Sequence, residues 1–471
     1  MAIKSRIRLL INAEHSKIWG TISVVYFLFH SSFLLILGKI TAFGIDEDGY
    51  LRVFQNVYIE NFDIKTQWSW PTDSKILLQL IYLPAKVISL LGIPDYLSIR
   101  LQSTFLFYIT CWIIFKRIPS TNFKLNVTLL ALFMFSPSVF VWTSLGLRES
   151  YIFFWITVTW LALNKLLQIY SKRYLLLLFL GVNGLAITKL YLFVLVLIMA
   201  SITALFSLRY RKLKESIILL LVLFSPVFLL PGIQSELSLS AKSLIQVETM
   251  PQTTNSDLVT NQNYLGPDND NSESSINNQN PKSFHVEMFE REINKGLTLK
   301  LLLEQIDDNA LLRSLLTRSG ILNRLNSVIT DTSAERQIIP KNNEFNNGSL
   351  SNLNQLFIAV IKFLILPIPF VNNGSFFINL QSIESPLIYF SYIISCYMAY
   401  TVLKRRIPKT QLFYGLCFFA FIFTIQSALI EVNLGTLVRH RSILSLAIVL
   451  ICIEASSRLS SSRRSQFGVK S

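Results

Sequence analysis

Three adjacent acids, Asp46, Glu47 and Asp48, follow the first long apolar run of the chain, between Gly44 and Gly49. A carboxylate placed there can take the proton of an attacking hydroxyl that comes within hydrogen-bond reach. Cations stand at the ends of later apolar runs that alternation brings to the same face: Arg148 beside Glu149, then Lys189, then Arg439 and Arg441 flanking His440. Ionisable groups at membrane depth are costly unless they line a wet cavity. Two arginines and an imidazole on the less basic face need an anion: a headgroup, an acidic partner or a bound phosphate. Acids and cations at one mouth point to chemistry on a charged, membrane-held substrate. Each group also has a plainer use. The acids can cap a following helix, Arg148 and Glu149 can pair locally, and Lys189 can snorkel from a helix end.

The elements that must position these groups are membrane spans. Of the 471 residues, 52% are hydrophobic and only 15% charged, where a soluble chain carries about 25% charged. Apolar runs of about 20 residues, enough to cross a hydrocarbon core, lie near 19–39, 98–115, 125–143, 150–168, 174–190, 191–208, 216–233, 386–403, 411–430 and 442–456. The expected fold is therefore all-α: a polytopic membrane protein of about ten transmembrane helices. Basic residues mark alternate ends, including Lys116, Arg117 and Lys124, then Arg209, Arg211, Lys212 and Lys214, then Lys404, Arg405 and Arg406. By the positive-inside rule both termini are cytoplasmic, in a plasma or inner membrane. The first span reads as a retained signal-anchor.

Two apolar runs do not fit as crossings. Residues 76–93 contain Pro84 and Lys86, and residues 354–370 contain Lys362, Pro367 and Pro369. A Lys at the bilayer centre costs ~3 kcal/mol, and counting either run as a span would invert the loops that follow. Both are expected as interfacial helices on the outer face. The chain then divides into an N-terminal membrane module, 1–233, with a first outer loop at 40–97, an extracytoplasmic insert, 234–350, and a C-terminal membrane module, 351–471. The insert begins with a polar stretch, 249–283, too poor in aliphatics to bury a core, and turns helical after it. Cys111, Cys396, Cys417 and Cys452 lie in apolar spans without metal-ligand or disulfide-framework spacing. No metal or cofactor is expected, and no basic run is long enough to track a nucleic acid.

A first span followed by a short acidic motif, Asp46-Glu47-Asp48, and a helix along the outer face resembles the polyprenyl-phosphate-dependent glycosyltransferases of the GT-C fold. The stretch Gly181-Val182-Asn183-Gly184-Leu185-Ala186-Ile187-Thr188-Lys189 is similar to the glycine-rich helix ending in Thr-Lys of bacterial members. The stretch from Asn433 to Arg441 is similar to a terminal motif in bacterial membrane proteins of surface-polysaccharide gene sets. The resemblance implies transfer of a sugar from a polyprenyl-phosphate donor to a glycan or lipid acceptor at the outer face, among membrane lipids. It implies Asp46 as the catalytic base, with Asp48 as its rival. Glu47, Arg148, Lys189, Arg439, His440 and Arg441 would hold substrate. Two other readings stand beside it: a polymerase or ligase of lipid-linked oligosaccharide repeat units, which suits Arg439-His440-Arg441 and the large insert, and a lipid-linked saccharide transporter or flippase.

Overall fold

The computed structural model describes residues 2–37, 45–59, 75–207, 213–229, 353–369, 381–404, 411–430 and 434–466. The insert at 234–350, the loop with Glu60, Trp68 and Trp70, and Glu431 and Asn433 lie outside them. No strand occurs among the described residues, and these residues fall in one compact unit that joins the N-terminal and C-terminal segments.

The first half comprises α1 (Ala2–Leu37), α2 (Ile45–Asn56), α3 (Lys75–Leu90), α4 (Asp95–Phe115), α5 (Phe123–Phe135), α6 (Pro137–Ser144), α7 (Glu149–Gln168), α8 (Lys172–Thr188), α9 (Leu190–Ser207), α10 (Leu213–Leu223) and α11 (Ser225–Leu229). The second comprises α12 (Leu353–Ile365), α13 (Ser385–Lys404), α14 (Gln411–Ile430) and α15 (Leu434–Gln466). Among the described residues, five helices are long and apolar enough to cross a membrane: α4, α7, α13, residues 411–428 of α14 and residues 437–459 of α15. A bent pair, α5 and α6, adds a sixth if counted as one span; Ser136 and Pro137 break it by 54°. The protein is thus an all-helical chain of multi-pass membrane type. The expected span 216–233 is two shorter pieces, because Phe224 separates α10 from α11, while α8 and α9 meet at Lys189, where the expected runs 174–190 and 191–208 meet.

α15 is the central helix, with an unbroken run of buried residues from Leu437 to Ser456. It packs on α13, α14, α5 and α6, while α14 also packs on α9. α7 and α8 form a tight antiparallel pair through the glycines of the Gly181–Lys189 stretch. A Cβ on Gly181 would lie 2.5 Å from Thr159 Oγ1, and one on Gly184 would lie 2.3 Å from Trp155 Cε2. Those glycines let two helices approach.

Two short helices cover α4 at the end where α7 begins. α3 buries Leu78, Tyr82 and Ala85 and exposes Ile76, Leu80, Leu83 and Val87, the two-faced pattern expected for this run. Pro84 inside it interrupts the backbone ladder, and a side chain fills the break. Ala85 N–H donates to Gln102 Oε1 at 2.8 Å, and Gln102 Nε2 donates to Ile81 O at 2.6 Å. α3 ends at Gly92, whose φ of +85° only glycine adopts without strain. α2 presents Tyr50, Val53, Phe54 and Val57 to this core, the i, i+3, i+4, i+7 spacing of a one-sided helix. Just beyond it Tyr58 donates to Gln79 O at 2.8 Å, and burial pushes its phenol up from the ordinary range.

Candidate functional site

Arg148 caps the start of α7, and Glu149 is the helix's first residue, where a carboxylate is favoured by the exposed N–H groups. Glu149 is 1% exposed. Its partner comes from α15: Arg439 donates its Nε hydrogen to Glu149 Oε1, while the guanidinium carbon lies 5.5 Å from the centre of the Trp142 ring. Lys189 and Arg148 are close enough to act on the same carboxylate. Glu149 Oε2 has no hydrogen-bond partner among the described residues. One acid therefore stands among three cations.

Lys189 occupies the extended break between α8 and α9, so its ammonium is turned inward at a helix end (φ −158°, ψ 95°). Its Nζ donates to His440 Nε2 at 3.1 Å and lies 5.0 Å from the centre of the Tyr191 ring. The Tyr191 hydroxyl lies 2.9 Å from the same Nε2. An ammonium can only donate, so Nε2 is the bare nitrogen and the ring hydrogen sits on Nδ1. His440 thereby holds the lysine rather than adding a charge.

Apart from the cluster, the described residues enclose an apolar groove of about 900 Å³, within the size of a ligand cavity. Phe27 and Leu34 of α1, Leu80 and Pro84 of α3, Phe105 of α4 and Leu180 of α8 line it. Tyr151 and Ile187 line it too, whereas Arg148, Glu149, Lys189, Arg439 and His440 do not.

The structure thus brings together four of the residues singled out in the sequence, Arg148, Lys189, Arg439 and His440, and separates others from them. Arg439, His440 and Arg441 do not fill a turn before the last span; they lie in the first turns of α15, buried. Residues two apart on a helix point to nearly opposite sides, and Arg441 faces away from Glu149. Its Nη1 donates to Leu366 O at 2.5 Å and its Nη2 to Ser385 Oγ at 3.1 Å, with Glu384 Oε1 at 3.7 Å. Glu384 Oε2 accepts from Ser136 Oγ and from Ser138 N–H, both at 2.7 Å, at the start of α6. Arg441 ties helices together. Its anion is a protein carboxylate.

Glu47 likewise turns inward. Arg100 of α4 donates Nε to Glu47 Oε1 at 2.8 Å and Nη2 to Oε2 at 2.9 Å, and Gly146 N–H donates to Oε1 at 3.2 Å. Asp46 and Asp48 share the first turn of α2 with it; their side chains lie outside the described residues. Sequence reasoning passed over Arg100, Tyr191, Trp142 and Glu384. Arg100 left a signal, a charge inside an apolar run. Tyr191 and Trp142 left none, since aromatics at span ends are common.

Compared with protein families, curated proteins and solved structures, the chain matches none.

Proposed function

We propose that the protein is a membrane glycosyltransferase of the GT-C kind, moving a sugar from a polyprenyl-phosphate donor to a glycan or lipid acceptor. The observation that carries this reading is the grouping of Arg148, Lys189 and Arg439 around Glu149, in a protein that also holds an apolar groove. It suits an amphipathic anion: a phosphate on the cations and a hydrocarbon chain in the groove. In the reaction Asp46, with Asp48 as its rival, takes the proton of the acceptor hydroxyl. The acceptor oxygen bonds to the sugar's anomeric carbon, and the bond from that carbon to the phosphate oxygen breaks. The electron pair leaves on the phosphate, where Arg148, Lys189 and Arg439 stabilise the charge. His440 orients Lys189, while Glu47 and Arg441 serve the scaffold. The reading includes a bacterial plasma membrane, about ten crossings, both termini cytoplasmic, and α3 and α12 lying along the outer face.

The test is the lipid-linked glycan and surface polysaccharide profile of cells carrying Asp46→Asn, at matched protein level. Loss of one sugar with accumulation of its lipid-phosphate donor is the expected result. A pile-up of complete repeat units with short chains would instead make the protein a polymerase. A normal profile would remove Asp46 from the mechanism.

A further inference from the structure

The least economical feature of α2 is Glu47. It continues the buried stripe of Tyr50, Phe54 and Val57, at a position where an apolar side chain would pack without desolvating a charge. Its partner Arg100 is 0% exposed within an apolar helix. Buried ion pairs seldom stabilise more than the apolar residues that could replace them; their better attested use is to fix register. Here the geometry is suited to that. Both guanidinium donors meet both carboxylate oxygens, the planar fork arrangement that a lysine cannot reproduce.

The same carboxylate reaches the third element. Glu47 Oε1 accepts from Gly146 N–H, in the turn that leads from α6 to Arg148 and Glu149. That turn is pressed on α4 beside Arg100: a Cβ on Gly146 would lie 2.4 Å from Ile99 Cδ1. One carboxylate thus fixes the first turn of α2, which carries Asp46 and Asp48, against the turn that presents Arg148 and Glu149.

We infer that Glu47 and Arg100 are positioning residues, which hold the acidic turn of α2 in register with the cation cluster. The inference rests on the transferase reading and adds to it a pair of residues that never touch substrate. Apolar packing alone would let α2 slide or rotate; the forked pair and the Gly146 contact permit one setting.

Two variants separate register from charge balance. Arg100→Lys keeps the charge and loses the fork. Glu47→Gln with Arg100→Met removes the charge and keeps the volume. In both, hydrogen exchange of the α2 amides should rise tenfold or more, while that of α7 and α15 stays at the wild-type rate. The affinity of the protein in nanodiscs for polyprenyl phosphate should stay within twofold, and the cellular glycan product should fall at least tenfold. Wild-type product from Arg100→Lys, or a product loss without faster exchange in α2, would overturn the inference. Asp46→Asn keeps the two proposals apart. If that variant abolishes product and the pair variants do not, only the positioning role fails; if Asp46→Asn and Asp48→Asn each make normal product, the transferase reading fails.

Discussion

Arg439 donates to Glu149 across 290 positions of sequence, and Asn164 donates to Glu454 across the same 290, at 3.2 Å. Equal offsets mean that α7 and α15 run parallel and advance in step. The two contacts are about 22 Å apart along the helices at 1.5 Å per residue, roughly three-quarters of a hydrocarbon core of ~30 Å. At the far end Arg458 reaches Glu454 at 3.4 Å, one turn along α15. The cation cluster lies at one end of these two parallel helices, one from each half of the chain, and the Asn164–Glu454 contact joins them at the other.

Glu149→Gln leaves Arg439 buried without its carboxylate, and removing one partner of a buried pair costs ~3–5 kcal/mol. The double variant Glu149→Gln with Arg439→Met should recover most of that loss. Thermal unfolding of the purified protein in detergent reads both. A double variant no more stable than the single one would show that the two residues do not act as a unit.

Lys189→Met removes a charge-assisted donor from the cluster while leaving Tyr191 to satisfy His440. Hydrogen bonds to charged groups are worth about 1.5–3 kcal/mol, so affinity for polyprenyl phosphate should fall by roughly tenfold or more. Tyr191→Phe should cost less, because it removes no charge. Titration of polyprenyl phosphate into nanodiscs carrying each variant gives the order. Equal affinities for wild type and Lys189→Met would take the lysine out of the phosphate site.

The helical membrane class was legible because a run of about 20 apolar residues matches the hydrocarbon core and would be costly to leave in water. The number of crossings was harder: the break at Phe224 and the Ser136-Pro137 bend fall inside stretches that read as continuous. The cationic members of the cluster could be named because charges at span ends are conspicuous in a chain this apolar. Their partners could not. Nothing in the local sequence says that Arg439 pairs with Glu149 while Arg441, two residues on, pairs with Glu384; that choice is made by which helix packs on each face of α15. Glu47 shows the converse limit. It sits in an acidic triplet and is expected to hold substrate, yet the stripe of Tyr50, Phe54 and Val57 turns it inward.

Gln102 replaces the backbone contact interrupted near Pro84 and also donates to the Tyr151 hydroxyl at 2.6 Å, beside the groove. Gln102→Leu preserves size but leaves Ala85 N–H and Ile81 O buried without their partner. An unsatisfied buried group costs about 1–3 kcal/mol, so stability should fall by that amount or up to twice it. Tyr151 also loses its donor, so the groove wall should loosen. Unfolding midpoints and hydrogen exchange across residues 75–90 test this; unchanged exchange there would mean that α3 repairs the Pro84 break by itself.

Gly184 and Trp155 both line the groove and touch each other across the α7–α8 contact. A methyl group at Gly184 meets the indole at 2.3 Å, so Gly184→Ala must either part the helices or turn Trp155 into the groove. Overpacking of this kind costs ~1–3 kcal/mol. If the ring turns, the groove narrows while the Lys189–His440 contact is kept. Inorganic phosphate should then bind as in the wild type and polyprenyl phosphate more weakly, by tenfold or more. Pairing Gly184→Ala with Trp155→Leu should restore the lipid's affinity, since the smaller side chain leaves room for both. Weakened binding of both ligands would instead mean that the helices had parted and carried Lys189 away from His440.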